Sequence, residues 1–170
     1  MMVKNMPFRN LYAAALFLAF LTLPSPGRGG MTDRMEHFHC SIRLEDNVMA
    51  SAEFSVSEDE SAIRYKLEVN HVDNITMAHL HLGWMGHIGS PVVWLYPQGP
   101  PPRLIKGPFT GVLSEGTITS DDLRGPLRGR PLSVLLGLIK TGEVYINIHS
   151  KEHPHGEICG PVVLKGDRQH

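Results

Sequence analysis

The residues best suited to chemistry in this chain are histidines. There are ten of them beside only two cysteines, and six fall in two short stretches. His79 and His81 are two apart in a run that alternates apolar and polar residues. In an extended strand such residues share one face, so both imidazoles project together while Ala78, Leu80 and Leu82 face the core. His149 sits in a second alternating run, on the face of Tyr145 and Asn147, with Val144, Ile146 and Ile148 on the other. Were these two strands neighbours, three imidazoles would converge on one outward patch. Three histidines form a first shell suited to zinc or copper, with one position open for water or another ligand. His87, after the first strand, and His153 and His155, after the second, are secondary candidates in the adjoining loops. Glu157 and Asn147 are placed to orient a ligating imidazole through its other nitrogen. Met77 and Met85 lie nearby as packing residues whose thioethers would favour Cu(I) if they took part. Proton competition for free imidazoles would weaken such a site below about pH 6.5.

The elements that must hold these residues are strands. Apolar residues alternate through 38–44, 48–56, 63–69, 78–82 and 144–148, with a short apolar run at 92–96 and a further candidate at 109–118. A last strand is expected from about Glu157 to Leu164. Gly 17 and Pro 13 supply many turns, and the prolines of Gln98–Pro102 exclude a ladder there. Leu132 to Lys140 is apolar at helical spacing with Gly142 just beyond, a short helix with a C-terminal stop. Ser120-Asp121-Asp122 suits one further helical turn. The whole predicts an all-β fold, an antiparallel sandwich or barrel, with one or two short crossover helices.

Residues 1–30 read as an address. Lys4 and Arg9 precede the apolar run Leu11–Leu23, and Pro24 to Gly30 follow with small and turn-forming residues. This fits a secretory signal peptide cut between about 25 and 31; the run is short for the roughly 20 apolar residues of a membrane span. The rest, 31–170, is expected to be one domain with its core at 36–164 and no membrane span, in a secreted or periplasmic location. A net charge of −1 leaves no electrostatic footprint for nucleic acid.

Export makes a disulfide between Cys40 and Cys159 an expectation, because an even cysteine count in an oxidising compartment suggests pairing. Cys40 alternates with core residues, however, and Cys159 shares the face of Glu157. The bridge would need a bulge at Gly160 or another register. The alternatives are two buried thiols, or Cys159 as a metal ligand.

Several motifs together carry a family likeness. Ala78-His79-Leu80-His81-Leu82-Gly83, then Gly86 and Gly89-Ser90-Pro91-Val92-Val93, then Gly142 with Val144 to Ser150, and Pro154 with Gly156-Glu157-Ile158 and Gly160, resemble the CHRD domain. That domain is named for repeats in chordin and also occurs singly in secreted bacterial proteins. The likeness spans roughly 36–164 and implies an extracytoplasmic, immunoglobulin-like or superoxide-dismutase-like β-sandwich or barrel. Its paired strand histidines with a later strand histidine also look like the arrangement in copper/zinc superoxide dismutases. Three departures stand out: Cys159 replaces the usual Arg, Ser90 replaces a Gly, and His153-Pro154-His155-Gly156 stands where the family reads near Asn-Pro-x-Gly.

Three functions are consistent with these residues. The first is an exported module binding one copper or zinc ion through His79, His81 and His149. The second is a metal-free interaction or adhesion module with an extracytoplasmic protein partner. The third and weakest is an enzyme of superoxide dismutase type. The spacing does not clearly supply the further ligands that chemistry uses, and no Gly-x-Ser-x-Gly, phosphate loop or Cys-His nucleophile pair is present. No catalytic residue is therefore assigned.

Overall fold

The computed structural model describes residues 36–44, 47–84, 87, 89–156 and 158–165. Residues 1–30, expected to be a signal peptide, Met85 and Glu157 lie outside the described residues, as do the side chains of Ile158 and Cys159. No helix among the described residues is long and apolar enough to cross a membrane.

Among the described residues nine strands form two antiparallel sheets. They are β1 His37–Leu44, β2 Asn47–Val56, β3 Ile63–Asp73, β4 Ile75–Leu82, β5 Pro91–Tyr96, β6 Pro108–Ile118, β7 Val144–Ser150, β8 Ile158–Pro161 and β9 Val163–Leu164. One sheet runs β6-β3-β2-β1-β9 and the other β5-β4-β7-β8. Two separate sheets make the fold an open sandwich, which excludes the closed barrel.

The period-two alternation read from the sequence is what builds the interior. Phe38, Cys40 and Ile42 of β1, Ala50, Ala52, Phe54 and Val56 of β2, and Ile63, Tyr65, Leu67 and Val69 of β3 are buried from one side. Ala78 and Leu80 of β4, Val92, Val93 and Leu95 of β5, and Val144, Ile146 and Ile148 of β7 join the same core. Each large apolar side chain buried in this way contributes roughly 1.5–3 kcal/mol.

The crossover between β6 and β7 carries the helical elements. Two single 3-10 turns, Ser120–Asp122 and Gly125–Leu127, lead to helix α1, Leu132–Lys140. Asp122 starts the first turn by accepting from the Thr119 backbone N–H at 2.8 Å and its hydroxyl at 2.9 Å. Helix α1 buries Leu132, Leu135, Leu136 and Ile139. It stops at Gly142, whose φ of +77° lets the Gly142 N–H reach the Ile139 carbonyl and the Glu143 N–H reach the Leu138 carbonyl.

Two elements differ from the sequence expectation. The expected third and fourth strands, 63–69 and 78–82, extend to Asp73 and back to Ile75, so only Asn74 separates two strands that lie in different sheets. Asn74 makes that corner at φ +49°, a conformation Asn tolerates. Its Oδ1 accepts from the Gly107 N–H at 3.0 Å and its Nδ2 donates to Glu152 at 2.9 Å. The expected last strand is also two strands. Pro161 cannot donate a ladder bond, and the chain leaves β7 there to pair with β1 at Val163 and Leu164. Val162, fully buried, bridges the step through its N–H to the Val144 carbonyl.

Candidate metal centre

Strand β7 pairs antiparallel with β4, placing Met77 opposite His149, His79 opposite Asn147 and His81 opposite Tyr145. Inward-facing Ala78 and Leu80 meet Ile148 and Ile146 and lock that register. The outward face therefore carries His79, His81 and His149 side by side. Each offers a nitrogen within 4.8 Å of the others. The structure thus brings together the three residues whose strand positions suggested convergence.

This face is not open to solvent. His79, His81 and His149 are buried, as are Asn147 and Tyr145, and every residue of β7 is buried. Two connections meet the patch. In the one between β4 and β5 the Gly89 carbonyl lies 2.9 Å from His81 Nδ1. The loop after β7 brings the Pro154 carbonyl to His149 Nδ1 at 2.9 Å. A carbonyl can only accept, so both Nδ1 atoms carry the proton and both Nε2 atoms carry a lone pair. Since His149 Nε2 carries a lone pair, His79 donates to it from Nδ1–H at 3.3 Å. His81 Nε2 and His79 Nε2 are buried without a hydrogen-bond partner.

These details fit a cation. Tetrahedral ligation at about 2.0–2.1 Å puts neighbouring nitrogens roughly 3.3–3.4 Å apart, the spacing already held by His79 and His149. Closing the widest donor pair to that edge takes at most about 1.5 Å of imidazole movement. The residues His79, His81 and His149 would hold the ion, His81 and His149 through Nε2 and His79 through Nδ1 once its proton has moved to the unpartnered Nε2.

The electrostatics agree. Burial, with His149 and His81 adding to it, pushes His79 down from the ordinary histidine value to about 3. Burial also lowers His81 and His149, against the opposing pull of the Gly89 and Pro154 carbonyls. All three are neutral at ordinary pH, the form that binds metal. The onset of proton competition therefore lies below the 6.5 expected for free imidazoles.

The remaining candidates lie around this group. His87 is exposed, with its ring 4.7 Å from that of Trp84. His153 and His155 are exposed in the second loop. His155 takes part through its backbone, its carbonyl accepting from Asn147 Nδ2 at 3.3 Å. Asn147 in turn lies against Gly156, where a Cβ would fall 1.9 Å from Asn147 Oδ1. No disulfide occurs among the described residues. Cys40 Sγ packs toward Gly160, the residue after Cys159.

Some of the surroundings were not legible beforehand. Trp94 of β5 sits opposite His79 with ring centroids 4.3 Å apart at 86°. The backbone carbonyls of Gly89 and Pro154 have no side-chain signal at all. The glycines that let the loops approach were visible only as turn residues.

Fold and site together define the protein as an all-β sandwich domain with a buried three-histidine cluster on the outer face of its smaller sheet. The CHRD domain family model matches residues 43–162, which spans β4, β7 and all three histidines. The chain belongs to the CHRD domain family. No curated protein and no solved structure matches it.

Proposed function

We propose that this chain is an exported module that binds one transition-metal ion, copper or zinc, through His79, His81 and His149. The observation that carries the reading is the union of three neutral, buried imidazoles with donors within 4.8 Å and carbonyls that turn two lone pairs inward. Buried polar atoms without partners are rare in folded proteins, and the unpartnered nitrogen of His81 belongs to this cluster. A bound ion would satisfy it. Export rests on the basic start and apolar run of residues 1–30.

Calorimetric titration of metal-stripped protein with Zn2+ or Cu2+ tests the site. One ion per chain should bind, and His79→Ala, His81→Ala or His149→Ala should each cost more than the roughly 10–100-fold typical of a lost outer partner. His87→Ala, His153→Ala and His155→Ala should leave binding within a few-fold of wild type. Equal binding by all six variants would reject the site.

A metal-free interaction module is the second reading, favoured by Trp84, a large apolar side chain 58% exposed beside the covered face. It is distinguished by partner binding that survives exhaustive chelation.

A further inference from the structure

One residue of β7 holds the imidazole of His81 in two ways. The Tyr145 ring stacks on it, with centroids 5.4 Å apart and planes at 27°. The Tyr145 hydroxyl extends into the 83–90 loop. There it accepts the Gly89 N–H at 3.2 Å and donates to the His87 carbonyl at 3.4 Å. Gly89 is also the residue whose carbonyl takes the proton of His81 Nδ1. The hydroxyl, the Gly89 peptide and the imidazole thus form one chain of hydrogen bonds that begins and ends on paired residues of β7 and β4.

The loop is held closely enough for this chain to matter. A Cβ at Gly89 would fall 1.6 Å from the Leu82 carbonyl oxygen, so no other residue fits without moving backbone. The Leu82 N–H meanwhile donates to the Ser90 carbonyl at 3.1 Å. Tyr145 is buried, and its hydroxyl spends both a donor and an acceptor on the loop.

Which nitrogen of an imidazole binds metal is set by the hydrogen bond at the other nitrogen. We propose that Tyr145 is a positioning residue for the metal centre: by holding Gly89 through its N–H it keeps the Gly89 carbonyl on His81 and fixes the Nδ1–H tautomer, which frees the Nε2 lone pair for the ion. The proposal rests on the metal reading above for its purpose. Its mechanical part, the tautomer of His81, is a property of the metal-free protein. Tyr145 does not touch the ion, and the aromatic stack alone does not select between the two nitrogens.

The test compares wild type with Tyr145→Phe, which keeps the stacked ring and removes the hydroxyl. Nitrogen-15 NMR of the metal-free proteins reads the His81 tautomer, and Zn2+ titration reads the consequence. Wild type should show His81 as Nδ1–H. Tyr145→Phe should show a growing share of Nε2–H and a Zn2+ affinity lower by about 10–100-fold. His81 wholly Nδ1–H in a folded Tyr145→Phe protein, or an unchanged Zn2+ affinity, would overturn the proposal, however much stability the variant had lost. If Tyr145→Phe does not fold, the wild-type spectrum decides: an Nε2–H tautomer at His81 overturns the proposal, and a solvent-protected Nδ1–H supports it. Wild-type protein that binds neither Zn2+ nor Cu2+ would refute the metal reading, and the tautomer comparison would still decide the role of Tyr145.

Discussion

His79 Nδ1 stands 3.3 Å from His149 Nε2 across the β4–β7 ladder, at the separation that two ligands of one tetrahedral ion adopt. On its other side the His79 ring meets Trp94 at 4.3 Å. Trp94 is thereby an internal reporter. In a Trp84→Phe background, Cu2+ should quench most of the Trp94 fluorescence at one equivalent, because a paramagnetic ion so near an indole opens a non-radiative path. Zn2+ should leave the intensity largely in place, and Cu2+ added afterwards should displace it and quench at the same stoichiometry. A Cu2+ titration with no quenching at one equivalent would mean that the ion sits elsewhere.

Stability should depend on pH through the three buried imidazoles. Their folded-state values are lowered, His79 to about 3, whereas in the unfolded chain they titrate near 6.5. Above about 6.5 both states are unprotonated and the full stability is present. As pH falls below that value the unfolded chain takes up protons that the folded chain refuses, so stability declines toward about 3. Urea unfolding of metal-free protein should therefore show a midpoint that drops between pH 7.5 and 4.5. A His79→Phe, His81→Phe, His149→Phe variant, if folded, should lose much of that slope. An equal slope in the variant would place the titrating groups outside the cluster.

Gly156 is the narrow point of the second loop. Its φ of +91° is strained for any L side chain, and a Cβ would collide with the Asn147 amide. Gly156→Ala should cost about 1–3 kcal/mol and push the Pro154 carbonyl away from His149. Thermal unfolding should show the loss of stability, and Zn2+ titration should show weaker binding without any ligand having been changed. Wild-type affinity in a destabilised Gly156→Ala protein would separate the loop from the site.

The fold was legible where burial follows a simple period. Strands β1 to β4 and β7 could be read because Phe54, Leu67, Leu80 or Ile146 alternates with a polar neighbour, β5 as a short apolar run before Pro97, and helix α1 because Leu132, Leu135, Leu136 and Ile139 recur at helical spacing. The site was legible in its three ligands, because a strand puts His79 and His81 on one face and β7 repeats the alternation. Its burial was not. Polar residues at every second place suggest a solvated face, whereas His79, His81 and His149 are buried with the Gly89 and Pro154 carbonyls against them. Nor does a sequence announce which backbone carbonyl will meet an imidazole, since every residue has one. The switch of the last strand at Val162 was hidden for a similar reason: apolar alternation continues unbroken while the pairing partner changes.

The cysteine expectation remains open to a direct count. Cys40 Sγ points at Gly160, next in sequence to Cys159, which pairs with Asn147 in the β7–β8 register. Thiol titration of denatured, unreduced protein should find none if Cys40 and Cys159 are joined. Two thiols before reduction would end that expectation.

X-ray absorption at the metal edge of protein loaded with one equivalent of Zn2+ or Cu2+ addresses the site itself. Three imidazole nitrogens at about 2.0–2.1 Å are expected, falling to two in His149→Ala under the same loading. A first shell with one imidazole or none, or a spectrum identical in wild type and a His79→Ala, His81→Ala, His149→Ala protein, would contradict a metal centre on this face.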